Sequence, residues 1–225
     1  MDTESKNTSS VWKQLGWITV YAIAMGLLEA ICVLYLRRLV IPEGIDAHQL
    51  GSPIVRFPIE LIREACTVMM LVAVAWMAGY NWKTRTAYFF YMFGVWDILY
   101  YVGLKWLGNW PSSWLEWDCL FLIPEPWYGP VLAPVLISLY FMLGCCLVLL
   151  YEKRSTPLQI TLSVVVLQVM SIVVWYWSFV KDTNHIVKHG YTGVHYSWIL
   201  FAVGLVLGLT SLWLATPARV KEPST

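Results

Sequence analysis

Charge is scarce in this chain of 225 residues. Only 13% are Asp, Glu, Lys or Arg, against roughly 25% in an average soluble domain. A water-soluble protein of this length needs charge over most of its surface, and these few charges are gathered into short stretches. An ordinary soluble globule and a disordered chain are excluded on that ground. The net charge of +1 offers no basic footprint for phosphate, which excludes a nucleic-acid partner. Sequence signatures of common chemistry are also missing. There is no Gly-x-Ser-x-Gly, P-loop or dinucleotide fingerprint. No Glu-x-x-His occurs, so the di-iron pattern of helix bundles is unmet. The five cysteines, Cys32, Cys66, Cys119, Cys145 and Cys146, form no Cys-x-x-Cys. An odd count without spacing argues against a disulfide framework. These absences favour a non-enzyme without deciding the point, and no cofactor is indicated.

Long apolar runs are what the chain has. Hydrophobic residues make up 59% of it, and the mean hydropathy is +0.61. A helix needs about 20 mostly apolar residues to cross a bilayer. Six stretches qualify: about 15–36, 59–80, 87–107, 131–151, 158–180 and 196–215. Barrel strands would be about 10 residues long and alternate in polarity. The expectation is an all-α integral membrane protein: one six-helix domain over 15–215, with polar tails at 1–14 and 216–225. The first ten residues lack a basic region followed by a cleavage site, so no signal peptide is expected. The last ten carry no lipidation signal and read as a solvated end.

Six crossings put both termini on one side. That side carries Lys6, Lys13, Lys83, Arg85, Lys153, Arg154, Arg219 and Lys221. The other carries Arg37, Arg38, Arg56, Lys181 and Lys188, with Arg63 and Lys105 near span ends. No Lys or Arg occurs between Asn109 and Gly129. The positive-inside rule then points to cytoplasmic termini in a cytoplasmic (inner or plasma) membrane. The long loops lie on the outer side and hold all four histidines, together with Glu43, Asp46, Glu116, Asp118, Glu125 and Asp182. Long loops carry function more often than tight ones, so a site is expected in the outer half.

The segment between the third and fourth spans reads NWPSSWLEWDCLFLIPEPWYGPVLAP. Ser113-x-x-Glu116 fits a capping box, and Pro124 and Pro126 would stop a helix. The expectation is a short interfacial or re-entrant helix from Trp114 to about Ile123, within a Trp-rich segment 110–127. Trp110, Trp114, Trp117 and Trp127 suit the headgroup level. Such a segment is either an interfacial anchor or a lid over a cavity. Asp118 favours the lid, since an anchor gains nothing from a carboxylate on its apolar side.

Ionisable side chains inside spans usually face the bundle interior and have partners. At 100° per residue, Glu60, Arg63, Glu64 and Thr67 share one arc of the second span. Glu29 sits about one turn inside the outer boundary of the first, beside a row of small residues at Ala22, Gly26 and Ala30 that admits a close neighbour. Asp97 lies near mid-depth in the third, with Tyr101 at i+4. Gly204-x-x-x-Gly208 in the sixth span is a helix-packing motif, serving either this chain or a dimer. The candidate ligand- or ion-binding residues are Glu29, Glu60, Glu64, Asp97 and Asp118, with Arg63, Arg37 and Arg38 as counter-ions.

If these acids converge, two readings follow. One is a charge-balanced ion-pair network that fixes helix register. The other is a hydrophilic cavity that takes a cation, a proton or a polar solute, as in transport. Further alternatives are a structural or assembly subunit of a larger membrane complex, and an intramembrane enzyme using paired carboxylates. Expected partners are the lipid bilayer, and beyond it a second copy or a complex partner. His185, His189 and His195 would be the ligands of a metal; the competing reading is solvated loop histidines. A two-histidine haem site is not expected, because only His195 lies near a span.

Overall fold

In lipid, a backbone must satisfy its own hydrogen bonds, and the apolar runs do so as helices. The computed structural model describes residues 2–40, 58–152 and 158–217, with side chains from 12 to 38 in the first stretch. Glu43, Asp46 and Arg56, Lys153 and Arg154, and Arg219 and Lys221 lie outside the described residues, as does the side chain of Lys6. The helices are α1 (Asp2–Val40), α2 (Pro58–Ala78), α3 (Trp82–Gly108), α4 (Leu132–Glu152), α5 (Leu162–Val180), α6 (Thr183–His189) and α7 (Trp198–Ala215). Among the described residues, six helices are long and apolar enough to cross a membrane. The chain is an integral, multi-pass membrane protein, a bundle of these six spanning helices among the described residues.

Helix α3 is central. It packs against α1 and α4, and more lightly against α2. Its first turn is set by a capping box that the sequence reading missed, although Asn81-x-x-Thr84 is its pattern. Asn81 Oδ1 accepts from the Thr84 N–H at 2.9 Å, and Thr84 Oγ1 accepts from the Asn81 N–H at 3.2 Å. The helix therefore starts before the apolar run does. The row Ala22–Gly26–Ala30 is where α1 meets α3: a Cβ on Gly26 would stand 2.6 Å from the Trp96 carbonyl oxygen. Helices packed in lipid gain from such close contact, because water drives no burial there.

Helices α5 and α7 form a second pair. Ser171 Oγ donates to the Gly204 carbonyl at 2.7 Å, Ser211 Oγ to the Val164 carbonyl at 2.9 Å and Trp175 Nε1 to the Phe201 carbonyl at 3.2 Å. A Cβ on Gly204 would stand 2.6 Å from the Trp175 ring, and one on Gly208 would stand 3.0 Å from Ser171 Oγ and the Tyr140 hydroxyl. The Gly-x-x-x-Gly motif thus serves packing within the chain. Tyr140 of α4 ties this pair to the rest, its hydroxyl lying 2.7 Å from Gln168 Oε1 and 3.1 Å from the Gly208 carbonyl.

The short helix expected at 114–123 is not formed. Residues Trp117–Phe121 (β1) and Trp127–Pro130 (β2) pair as an antiparallel hairpin, with Asp118 opposite Gly129. The capping box is overridden because Glu116 has other partners: it accepts from the Ser112 N–H at 2.5 Å, the Ser112 hydroxyl at 2.7 Å and Trp110 Nε1 at 2.6 Å. Pro124 and Pro126 then sit in the hairpin tip, where a missing N–H costs nothing.

Candidate functional site

The hairpin lies over one end of the bundle, where α1, α2 and α3 bring carboxylates together. On α2 the arc of Glu60, Arg63, Glu64 and Thr67 turns inward, and Glu60 and Glu64 are buried. Arg63 holds Glu60 through Nη2 at 2.7 Å and Nε at 2.9 Å, and it also pairs with Glu29 of α1. Thr67 Oγ1 donates to Glu29 Oε2 at 3.2 Å. One guanidinium therefore serves two carboxylates and fastens α1 to α2.

A second pair lies under the hairpin. Asp118 Oδ1 is 3.3 Å from Arg37 Nη2, and Oδ2 accepts from the Tyr101 hydroxyl at 3.3 Å. Arg37 also stands over the Trp110 ring, 4.2 Å from its centroid, a favourable place for a cation. Burial holds the Asp118 carboxyl above its ordinary pKa range, outweighing the attraction of Arg37 and the hydrogen bonds from Tyr101 and the Cys119 N–H. The sign of the resulting linkage is fixed. An unfolded Asp118 loses its proton near pH ~4 while the folded one retains it, so this group's contribution to stability falls as pH rises through the higher, folded value. Asp118→Asn is expected to flatten that part of the profile. Melting temperatures of both proteins from about pH 4 to about pH 8 check it; superimposable profiles would refute it.

Glu64 and Asp97 differ from the other three. Glu64 Oε2 accepts from the Leu122 N–H in the hairpin at 2.9 Å. Asp97 Oδ2 accepts from Ser138 Oγ of α4 at 2.9 Å. Among the described residues neither carboxylate makes an ion pair. Arg38 is exposed and pairs with none of the five acids among the described residues. Lys105 is exposed as well and donates to the Pro111 carbonyl at 3.0 Å. The acids therefore outnumber the cations they meet.

Sequence reasoning missed Ser138, the Leu122 N–H and the Arg37–Trp110 contact, none of which has a local signal. Tyr101 was visible as the i+4 neighbour of Asp97, yet its hydroxyl goes to Asp118. Of the histidines, His185 and His189 lie with ring centroids 4.9 Å apart on α6. These two and His195 are all exposed. Among the described residues no three His, Cys, Asp or Glu side chains are grouped to hold a metal ion, so the three-histidine arrangement does not form there. Half-buried aromatics lie against the hairpin: Trp117 packs on Tyr191 and Tyr196, and desolvation raises the pKa of both tyrosines. No protein-family model, curated protein or solved structure matches the chain.

Proposed function

We propose that this protein binds and exchanges a cation, in the first instance a proton, at the carboxylates beneath the hairpin, in the manner of a small transport protein. In this reading the hairpin end is the outer face of a cytoplasmic membrane and both termini are cytoplasmic. One observation carries it: Glu64 and Asp97 accept from an N–H and a hydroxyl and form no ion pair among the described residues, Arg63 acting on Glu64 only from beyond ion-pair distance while it is engaged with Glu60 and Glu29. An uncompensated carboxylate in lipid surroundings costs several kcal/mol, and a bound proton or cation removes that cost. Glu29, Glu60 and Asp118 with Arg63 and Arg37 form the frame around these two acids.

Proton uptake into vesicles tests it. The full chain is reconstituted with an internal pH dye, and a potassium diffusion potential is imposed. The wild type is expected to acidify the lumen. Asp97→Asn and Glu64→Gln are expected to insert normally and to lower the rate by about 100-fold, the scale of a lost proton-transfer group. A wild-type rate equal to that of protein-free vesicles overturns the proposal. Loss of both variants from the membrane would assign the two acids to structure instead.

A second reading, as a subunit of a larger membrane complex, draws on α2. Its outer flank is an open apolar groove lined by Val68, Met69, Val72, Ala73, Trp76 and Met77. Defined partners co-purifying in mild detergent would support this reading, and isolation of the chain alone would count against it. Glu60 and Glu64 have separate partners, Arg63 and Leu122, which gives little support to an enzyme that uses them as a catalytic pair.

A further inference from the structure

We propose that the hairpin 117–130 is a lid whose tip is latched to α2 by Glu64, so that occupancy of Glu64 and the position of the lid are linked. The base of the hairpin is fixed. The Val131 N–H donates to the Glu116 carbonyl at 3.0 Å and the Leu132 N–H to the Trp114 carbonyl at 2.9 Å, joining the strands to the start of α4. The tip, 122–126, lies outside the strand pairing, and among the described residues its hydrogen bonds run to both flanks. On one side Glu64 accepts from the Leu122 N–H. On the other, Tyr176 of α5 donates to Glu125 at 2.5 Å and Thr183 of α6 donates to the Pro126 carbonyl at 2.8 Å. The tip therefore bridges α2 to the α5–α6 side of the bundle.

These ties differ in strength. The Tyr176–Glu125 contact is exposed, where water competes for both groups. Glu64 is buried, and a hydrogen bond to an ionised acceptor in a low dielectric is about twice as strong as one between neutral groups. The groups facing Glu64 are Arg63 and Glu60 on α2, Cys119 on β1 and the Leu122 N–H. When Glu64 takes up a cation, its oxygens lose the charge that holds Leu122, and the α2 side of the tip is weakened. By reciprocity, lifting the tip changes the affinity of Glu64 for its cation by the same factor. The acids beneath then open to water on the side from which a cation arrives. This inference rests on the proposed function for its purpose, but its test reads the lid and not the flux.

Cys119 is a built-in reporter. It lies on β1 opposite Tyr128, and burial keeps its thiol well above the ordinary pKa and slow to react. In the full chain with Cys32, Cys66, Cys145 and Cys146 replaced by Ala, embedded in lipid nanodiscs, a membrane-impermeant maleimide is used to label Cys119. Glu64→Ala removes the acceptor and is expected to speed labelling by about tenfold, which corresponds to ~1.4 kcal/mol in the open–closed equilibrium. Glu64→Gln keeps an acceptor oxygen without the charge, and its rate should fall between the two. A sister background retaining buried Cys145 reports unfolding. If Glu64→Ala exposes Cys145 as well, the isosteric Glu64→Gln decides alone. Labelling of Cys119 at the parent rate in Glu64→Ala, or in Glu64→Gln where that variant decides, overturns the latch. A normal latch response in a protein that moves no protons would refute the transport reading and leave the lid standing.

Discussion

Replacing Arg63 with Met is expected to destabilise the protein by about 3 kcal/mol or more, the largest effect of any single substitution at the site. Arg63 is the shared counter-charge of Glu29 and Glu60. Both carboxylates are buried, at 9% and 5% exposure, so neither can turn to water when the guanidinium is gone. Removing one partner of a buried pair typically costs about 3–5 kcal/mol, because the other charge is stranded. The Arg63 side chain as a whole keeps 22% of its surface exposed, which places the expectation at the low end of that range. The check is the melting temperature and membrane yield of Arg63→Met beside those of the triple variant Arg63→Met/Glu29→Gln/Glu60→Gln. The triple variant removes the stranded charges and should recover most of the loss. An unchanged melting temperature in Arg63→Met would mean that the two acids are already neutral and that the guanidinium fastens nothing.

The second large effect is expected at Gly26, through backbone contact and without any charge. Its added Cβ would meet the Trp96 carbonyl oxygen at 2.6 Å, Leu99 Cβ at 2.9 Å and the Tyr100 nitrogen at 3.2 Å. Two of these atoms belong to the α3 backbone, which cannot move without the helix. Gly26→Ala is expected to cost ~1–3 kcal/mol, the usual penalty of overpacking a tight contact, and to push α1 from α3 just where Asp97, Tyr100 and Tyr101 are carried. Gly16→Ala on the same helix is the control. Nothing lies within 4 Å of its added Cβ, and a helix loses less entropy with Ala than with Gly, so stability should hold or rise. Thermal unfolding of the two variants in one detergent distinguishes them. Equal melting temperatures would show that α1 and α3 do not approach each other as closely as the structure has them.

The spans and their polar faces could be read from the chain because both are local. Six apolar runs in lipid have one way to satisfy their backbone, and the 100° step of a helix places Glu60, Arg63, Glu64 and Thr67 on one side whatever packs there. The small-residue rows at Ala22–Gly26–Ala30 and Gly204–Gly208 were visible for the same reason. Which neighbour each row meets was decided by packing: Gly26 lies on the backbone of α3, and Gly204 on Trp175 of α5. The segment 110–130 was beyond a local reading. Its capping signal and prolines describe a short helix, yet strand pairing between residues about ten apart is chosen instead, with Arg37, Glu64 and Tyr101 from three helices holding it in place. The division of charge was likewise tertiary. The six apolar runs carry more acids than cations, but only the approach of α1 to α2, and of the hairpin to both, leaves Arg63 to Glu29 and Glu60, Arg37 to Asp118, and Glu64 and Asp97 with uncharged donors. Coulomb attraction weakens with distance, and the folded chain sets those distances.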